Sequence, residues 1–171
     1  KTGAEFVMGK EAPDVKELKA MGFDYIVLAC GAEKKGRLDI EGSVMNVIDF
    51  LYAFKNGGEL KLGRNVAVVG GGNTAMDAAR AAKRAEGVEK VTLVYRRNRR
   101  YMPADLEELE LAIEDGVEFM ELVSPVKQAN GKLVCNKMKL GDKDASGRRV
   151  PVETGETVEV DADTVIAAVG E

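Results

Sequence analysis

The sequence has no histidine and no tryptophan, only two cysteines, and no long apolar run. Cys30 and Cys135 stand alone, without CxxC spacing and without an imidazole to join them. That excludes a zinc or iron–sulfur site built from this chain alone. Two isolated thiols fit a reducing cytosol, so a cytoplasmic location is expected, and each thiol reads as a small core residue. Runs such as "YIVLAC" from Tyr25 and "VAVV" from Val66 fall far short of the roughly 20 residues a membrane-spanning helix needs. No charged-then-apolar leader opens the chain, which argues against secretion. Acids outnumber bases, 29 to 25, and aromatics make up only 5% of residues. A general nucleic-acid binder is therefore disfavoured, although "RRNRR" concentrates four arginines within Arg96 to Arg100.

What remains is an ordinary α/β composition. The 171 residues are 45% hydrophobic and 32% charged, enough for one good core and a smaller satellite. The first residue is Lys1 rather than methionine, and Glu171 directly follows a strand-like run. Both ends read as cut edges of a longer protein.

Along the chain, "EFVMG" from Glu5 reads as a short strand. "APDVKELKAMG" reads as a helix capped by Asp14, with Val15 and Leu18 on one face and Gly22 as terminator. "DYIVLACGA" from Asp24 reads as a buried strand entering a glycine turn, and Glu33 to Ile40 as a polar crossing. A helix is expected through Val47, Ile48, Leu51 and Phe54, closed by Gly57 and Gly58.

The pattern then becomes strand–turn–helix–strand. "NVAVV" from Asn65 is a continuous apolar strand, as expected where helices cover both sheet faces. An alanine-rich helix follows from about Thr74 to Glu86, then the strand "KVTLVY" from Lys90. A second helix is expected from Pro103 to Asp115 with Leu106, Leu109 and Ile113 inward, and then the strand "VEFMEL". Beyond Pro125, "GKLVCNKMKLG", "RRVPVE" and "ETVEVDA" alternate between "NG", "SG" and "TG" turns and predict an antiparallel meander. "DTVIAAVG" closes the chain as an apolar strand. It shares Asp, Ala and Gly at its first, sixth and eighth positions with "DYIVLACG", which suggests two related nucleotide folds meeting, only one of them complete.

Gly70, Gly72 and Ala75 satisfy G-x-G-x-x-[GA] directly after a strand and before a helix. The first small residue permits a tight turn, the second lets the backbone approach a pyrophosphate, and the third lets helix and strand pack closely. The free N–H groups and the dipole of the helix start then favour the anion. No Gly-Lys-Ser/Thr follows, so this is not a P-loop. A site for an unphosphorylated ribose, in a NAD enzyme or a methyltransferase, usually places an acid at the end of the second strand. Here Tyr95, Arg96 and Arg97 occupy that position. Guanidinium groups grip a 2′-phosphate with charge-assisted, often bidentate bonds, so the expected dinucleotide is NADP(H).

In order along the chain, "GGGNTAMDAAR", "VYRRNRRYMPA", "EDGVEF", "DASGRRVPV" and "DTVIAAVGE" resemble the glutamate synthase small-subunit family of FAD/NAD(P) oxidoreductases. The same architecture occurs in dihydropyrimidine dehydrogenase and in selenate reductase iron–sulfur flavoprotein subunits. The resemblance implies a two-domain flavoprotein, with an NADPH domain inserted into an FAD domain. Hydride passes from NADPH to FAD, and electrons leave through iron–sulfur clusters, often to a partner subunit. It further implies that Gly70, Gly72, Asn73 and Thr74 cradle the pyrophosphate, and the expected cofactor-binding set also takes in Gly71 and Ala75. Arg96, Arg97 and Arg100 would surround the 2′-phosphate, and Ala168, Val169 and Gly170 would lie near the nicotinamide and flavin. Cys30 stands where the family has threonine in its Ala-Thr-Gly linker.

The departures define the expected role. The family's earlier GxGxxG for FAD, its continuation past "AVGE" and its cysteine clusters are absent from this sequence. The expected architecture is a Rossmann-like three-layer α/β domain over residues 37–171, a parallel sheet plus an antiparallel β-meander. Residues 1–36 form the edge segment of a truncated FAD domain. No side chain offers itself as acid, base or nucleophile, as expected where cofactors supply the chemistry. The expected partners are NADPH, the remaining FAD-domain portion of the parent chain and an iron–sulfur or catalytic subunit. The alternative is a non-catalytic domain that senses NADP(H) or docks partners.

Overall fold

A computed structural model of the chain describes residues 3–29 and 36–170. The chain falls into two compact units, Lys1–Glu33 and Lys34–Glu171.

In the first unit, helix α1 (Val15–Ala20) starts at the expected cap. The Asp14 carboxylate accepts the Glu17 N–H at 2.8 Å and the Glu17 carboxylate accepts the Asp14 N–H at 3.2 Å, a reciprocal capping box. Two expected strands do not form. "EFVMG" and the described part of "DYIVLACGA" have no strand geometry, and Phe6, Tyr25, Val27 and Leu28 are exposed. Apolar composition expresses a need for burial, whereas a strand exists only by pairing. Among the described residues no segment lies alongside either run to provide that ladder. Cys30, the glycine turn after it and the start of the polar crossing lie outside the described residues.

The second unit runs β1 (Val44–Asn46), α2 (Val47–Lys55), β2 (Asn65–Gly70), α3 (Asn73–Lys83), β3 (Lys90–Tyr95), α4 (Leu106–Glu114) and β4 (Glu118–Glu121). It continues through β5 (Val123–Ala129), β6 (Lys132–Lys143), β7 (Arg149–Asp161) and β8 (Thr164–Ala168). One sheet has the order β1-β8-β2-β3-β4 and is parallel throughout. The other is antiparallel, β5-β6-β7.

Alternation along the parallel strands explains the three layers. Val66, Val68, Val91, Leu93 and Ile166 point to one face, where they meet Phe50 of α2, the alanines of α3 and Leu109 of α4. Ala67, Val69, Val94 and Val165 point to the other and meet Val123, Leu133, Cys135 and Val160 of the antiparallel sheet. Among the described residues of this unit, helices therefore cover one face and the meander the other, correcting the expectation of helices on both. The continuous apolar strands still follow, since neither face is wet.

The meander differs from expectation in two ways. Asn130 and Gly131 (φ +52 and +72) form the two-residue hairpin between β5 and β6, as the "NG" pair predicts. The "TG" pair does not end a strand. β7 runs through it with a shift in register opposite Lys137, so two expected segments are one bulged strand. β5 carries Pro125 at its own register shift, where the missing N–H is tolerated.

The helices also shift. Val47 and Phe50 are the buried residues of α2, and Ile48 is exposed. In α4, Leu109 and Ala112 are buried while Leu106 and Ile113 are exposed. Among the described residues no helix is long and apolar enough to cross a membrane.

Candidate functional site

In a parallel sheet all carboxyl ends share one edge, and a crevice opens there where successive connections leave in opposite directions. β2 is that point in this sheet, with β8 on one side and β3 on the other. A cleft of about 780 Å³ lies there, within the roughly 300–1,000 Å³ usual for cofactor and small-molecule sites. Val69 to Gly72 at the end of β2, Val94 to Arg97 at the end of β3, and Ala168 to Gly170 at the end of β8 line it.

The three consecutive glycines meet three different surroundings. A Cβ on Gly70 would stand 2.3 Å from the Ala168 carbonyl oxygen, so this glycine lets β2 and β8 close. A Cβ on Gly71 would fall 2.4 Å from the Tyr95 ring. That ring is fixed by its hydroxyl, which donates to the Tyr101 carbonyl at 2.7 Å. A Cβ on Gly72 would meet nothing within 4 Å. Gly72 caps α3 without any side-chain hydrogen bond. The Ala75 N–H donates to the Gly72 carbonyl at 2.9 Å, whereas the N–H groups of the cleft residues Asn73 and Thr74 have no partner among the described residues.

Asn73 is not a free phosphate ligand. Its Nδ2 donates to Asp105 at 3.0 Å and its Oδ1 accepts the Asp105 N–H at 2.9 Å. The Ala104 N–H donates to the Gly71 carbonyl at 3.0 Å. These bonds pin Ala104 and Asp105 to the glycine turn, and α4 begins after them, at Leu106 rather than at Pro103. Ala75 is fully buried beneath the turn, where a larger side chain would separate helix and sheet.

The arginines divide sharply. Arg96 is exposed on the cleft and has no ion pair or side-chain hydrogen bond among the described residues. Arg97 lines the cleft but is 8% exposed, with its guanidinium directed at the antiparallel sheet. Arg100 sits exposed in the short 3-10 turn Arg99–Tyr101, outside the cleft lining. Arg99 pairs with Glu110 at 2.7 Å. Beside the cleft residue Arg37, Gly36 lies so close to the segment following β8 that a Cβ would fall 1.6 Å from the Val169 carbonyl oxygen.

Two cleft arginines escaped sequence reasoning, Arg37 and Arg148. Arg148 follows the "SG" turn, whose presence was legible but whose docking beside β3 depends on how the two sheets stack. Cys135 is buried, its thiol pushed up to about 11 by burial, in keeping with a small core residue.

Residues 2–171 match the family model of the pyridine nucleotide-disulphide oxidoreductases. YgfK of Escherichia coli K12, which carries the name of an oxidoreductase, is 47% identical over 175 residues, covering 99% of this chain and 17% of that protein. The beta subunit of the NADPH-Fe(3+) oxidoreductase of Geobacter sulfurreducens is 41% identical, covering 96% of this chain and 26% of its own. The glutamate synthase [NADPH] small chain of Azospirillum brasilense is 39% identical over 71% of this chain and 26% of that one. The chain thus spans about a quarter or less of these curated relatives. Among solved structures, FprA of Mycobacterium tuberculosis (His57Gln mutant) superposes with a TM-score of 0.71 at 20% identity, covering 92% of this chain and 52% of FprA. That likeness bears out the mixed α/β fold, and the relatives bear out the glutamate synthase resemblance. The chain belongs to the pyridine nucleotide-disulphide oxidoreductase family.

Proposed function

We propose that the cleft at the ends of β2, β3 and β8 binds NADP(H), within an NADPH-dependent flavoprotein oxidoreductase. In that longer protein hydride passes from NADPH to FAD, and electrons leave through iron–sulfur centres or a partner subunit, all in the cytoplasm. The observation that carries this reading is the open space over Gly72, at a helix start with unpaired N–H groups, in one cleft with the partner-free Arg96. That combination suits a pyrophosphate at one end and a 2′-phosphate at the other.

NADPH supplies the hydride, so the chain's residues have only to bind and orient it. The N–H groups of Asn73 and Thr74 receive the pyrophosphate, and Asn73, locked to Asp105, keeps the turn from closing over it. Arg96 takes the 2′-phosphate. Ala168 to Gly170 line the cleft at the end of β8, where the nicotinamide lies. FAD has no second glycine turn among the described residues, so the flavin belongs to other parts of the parent protein. The Geobacter and Azospirillum relatives, both named for NADPH, support the choice of cofactor.

The test is equilibrium titration of the full-length protein with NADPH and NADH. NADPH binds more tightly, and Arg96→Ala weakens NADPH by about tenfold to a hundredfold while leaving NADH unchanged. Equal affinity for the two cofactors in the unmodified protein would contradict the assignment.

A further inference from the structure

Arg97 commits its guanidinium away from the cleft. Nε donates to the Arg149 carbonyl at 2.9 Å and Nη2 pairs with Asp144 at 3.5 Å, leaving the side chain 10% exposed. Its own carbonyl accepts the N–H of Leu122 at 3.1 Å. Leu122 sits at φ +58, in the left-handed region that bulky side chains avoid. Arg97 therefore ties the end of β3 to the β4–β5 corner and to the β6–β7 hairpin.

The turn of that hairpin is tightly bonded. The Asp144 carboxylate accepts the Ser146 hydroxyl, the Ser146 N–H at 2.9 Å and the Arg148 N–H at 3.1 Å. The Asp144 N–H donates to the Arg148 carbonyl at 2.8 Å, and Gly147 takes φ +79 to close the loop. The outcome is that Arg148 lines the same cleft as Arg96. Its Nε donates to Ser146 Oγ at 3.0 Å, while Nη1 and Nη2 have no partner among the described residues. A guanidinium tethered through Nε presents its two terminal N–H groups as a fixed fork, the edge that grips phosphate oxygens in pairs.

We propose that Arg148 is a specificity-determining residue for the 2′-phosphate of NADP(H), and that Arg97 is a positioning residue acting through the Asp144–Arg148 turn. The inference rests on the NADP(H) reading above. Two elements distant in sequence then converge on one phosphate, with Arg96 supplied by the end of β3 and Arg148 by the hairpin. The Asp144 carboxylate is kept from opposing them by its own bonds to Arg97 and to the turn.

Titration of the full-length protein with NADPH and NADH tests both halves. Arg148 is exposed, so Arg148→Ala leaves the fold intact. It raises the Kd for NADPH by about tenfold or more with no change for NADH. Arg148→Lys recovers part of the loss, because an ammonium restores charge without the fork. Arg97→Lys also weakens NADPH selectively. The double variant Arg97→Lys/Arg148→Ala loses no more than Arg148→Ala alone, since the two residues act through one contact. Losses that add in the double variant would overturn the positioning role. An unmodified protein that prefers NADPH, with a preference unaltered in Arg148→Ala, overturns the inference and leaves the NADP(H) reading standing. Equal weakening of both cofactors in Arg148→Ala overturns it as well. No preference in the unmodified protein removes the NADP(H) reading itself, and this inference with it.

Discussion

Gly70, Gly71 and Gly72 look interchangeable in the sequence, yet their surroundings give substitutions at each a different outcome. The G-x-G-x-x-A spacing assigns work to Gly70, Gly72 and Ala75 and none to Gly71. Only the folded chain brings the Tyr95 ring against Gly71, because strand spacing cannot tell which way a ring lies across a turn. Gly71→Ala drives a methyl into that ring, overpacking that costs about 1–3 kcal/mol. A thermal melt should therefore show a midpoint several degrees lower. Gly72→Ala should melt normally, since φ −95 and ψ 173 suit any residue and the new methyl meets nothing. It instead weakens NADPH and NADH equally by filling the space proposed for their shared pyrophosphate. A variant with lowered stability and unchanged cofactor affinity would contradict the cradle. The arginines show the same limit of legibility. "RRNRR" marks a cationic cluster, but its division into a free Arg96, an anchored Arg97 and an outlying Arg100 depends on the antiparallel sheet.

At the level of elements, α3 and α4 are joined on the solvent side by charge rather than by apolar contact. Asp115 accepts Arg80 Nε at 2.8 Å and Arg84 Nη2 at 2.7 Å. The Arg80 hydrogen bond holds its carboxyl below the usual carboxylate range. A carboxylate whose folded pKa is depressed contributes stability that is present above its unfolded value, near 4, and lost as pH falls through the folded value. Urea unfolding of Asp115→Asn should thus show a deficit against the unmodified protein at neutral pH that closes below about pH 4. A deficit that persists undiminished in acid would show that the ion pair is not its source. Which elements exist was largely readable: β2, α3 and β3 come directly from apolar period and punctuation. The failures share one cause, since pairing and facing are tertiary. "DYIVLA" reads as a strand without a ladder, α4 turns Ala112 rather than Ile113 inward, and "TG" bends β7 without ending it. β1 escaped notice because three residues cannot display a period.

For the molecule as a whole, the sheet order puts the ends of β2, β3 and β8 on one edge. Chain segments from Arg37, Gly72, Arg96, Arg148 and Gly170 therefore meet in one cleft. The chain is net acidic, at −4, yet this cleft collects four arginines, an asymmetry invisible in composition. The parallel sheet and the motif on β2 were legible in the sequence. The stacking of the meander over one face, which delivers Arg148, was not, because nothing local encodes which sheet covers which. The central claim is one of place, and a crystal structure of the protein with NADPH tests it most directly. The pyrophosphate should lie over Gly72 within hydrogen-bond distance of the Asn73 and Thr74 N–H groups, with the 2′-phosphate between Arg96 and Arg148. A dinucleotide bound away from the start of α3, or with its 2′-phosphate turned from Arg96 to solvent, would contradict the account.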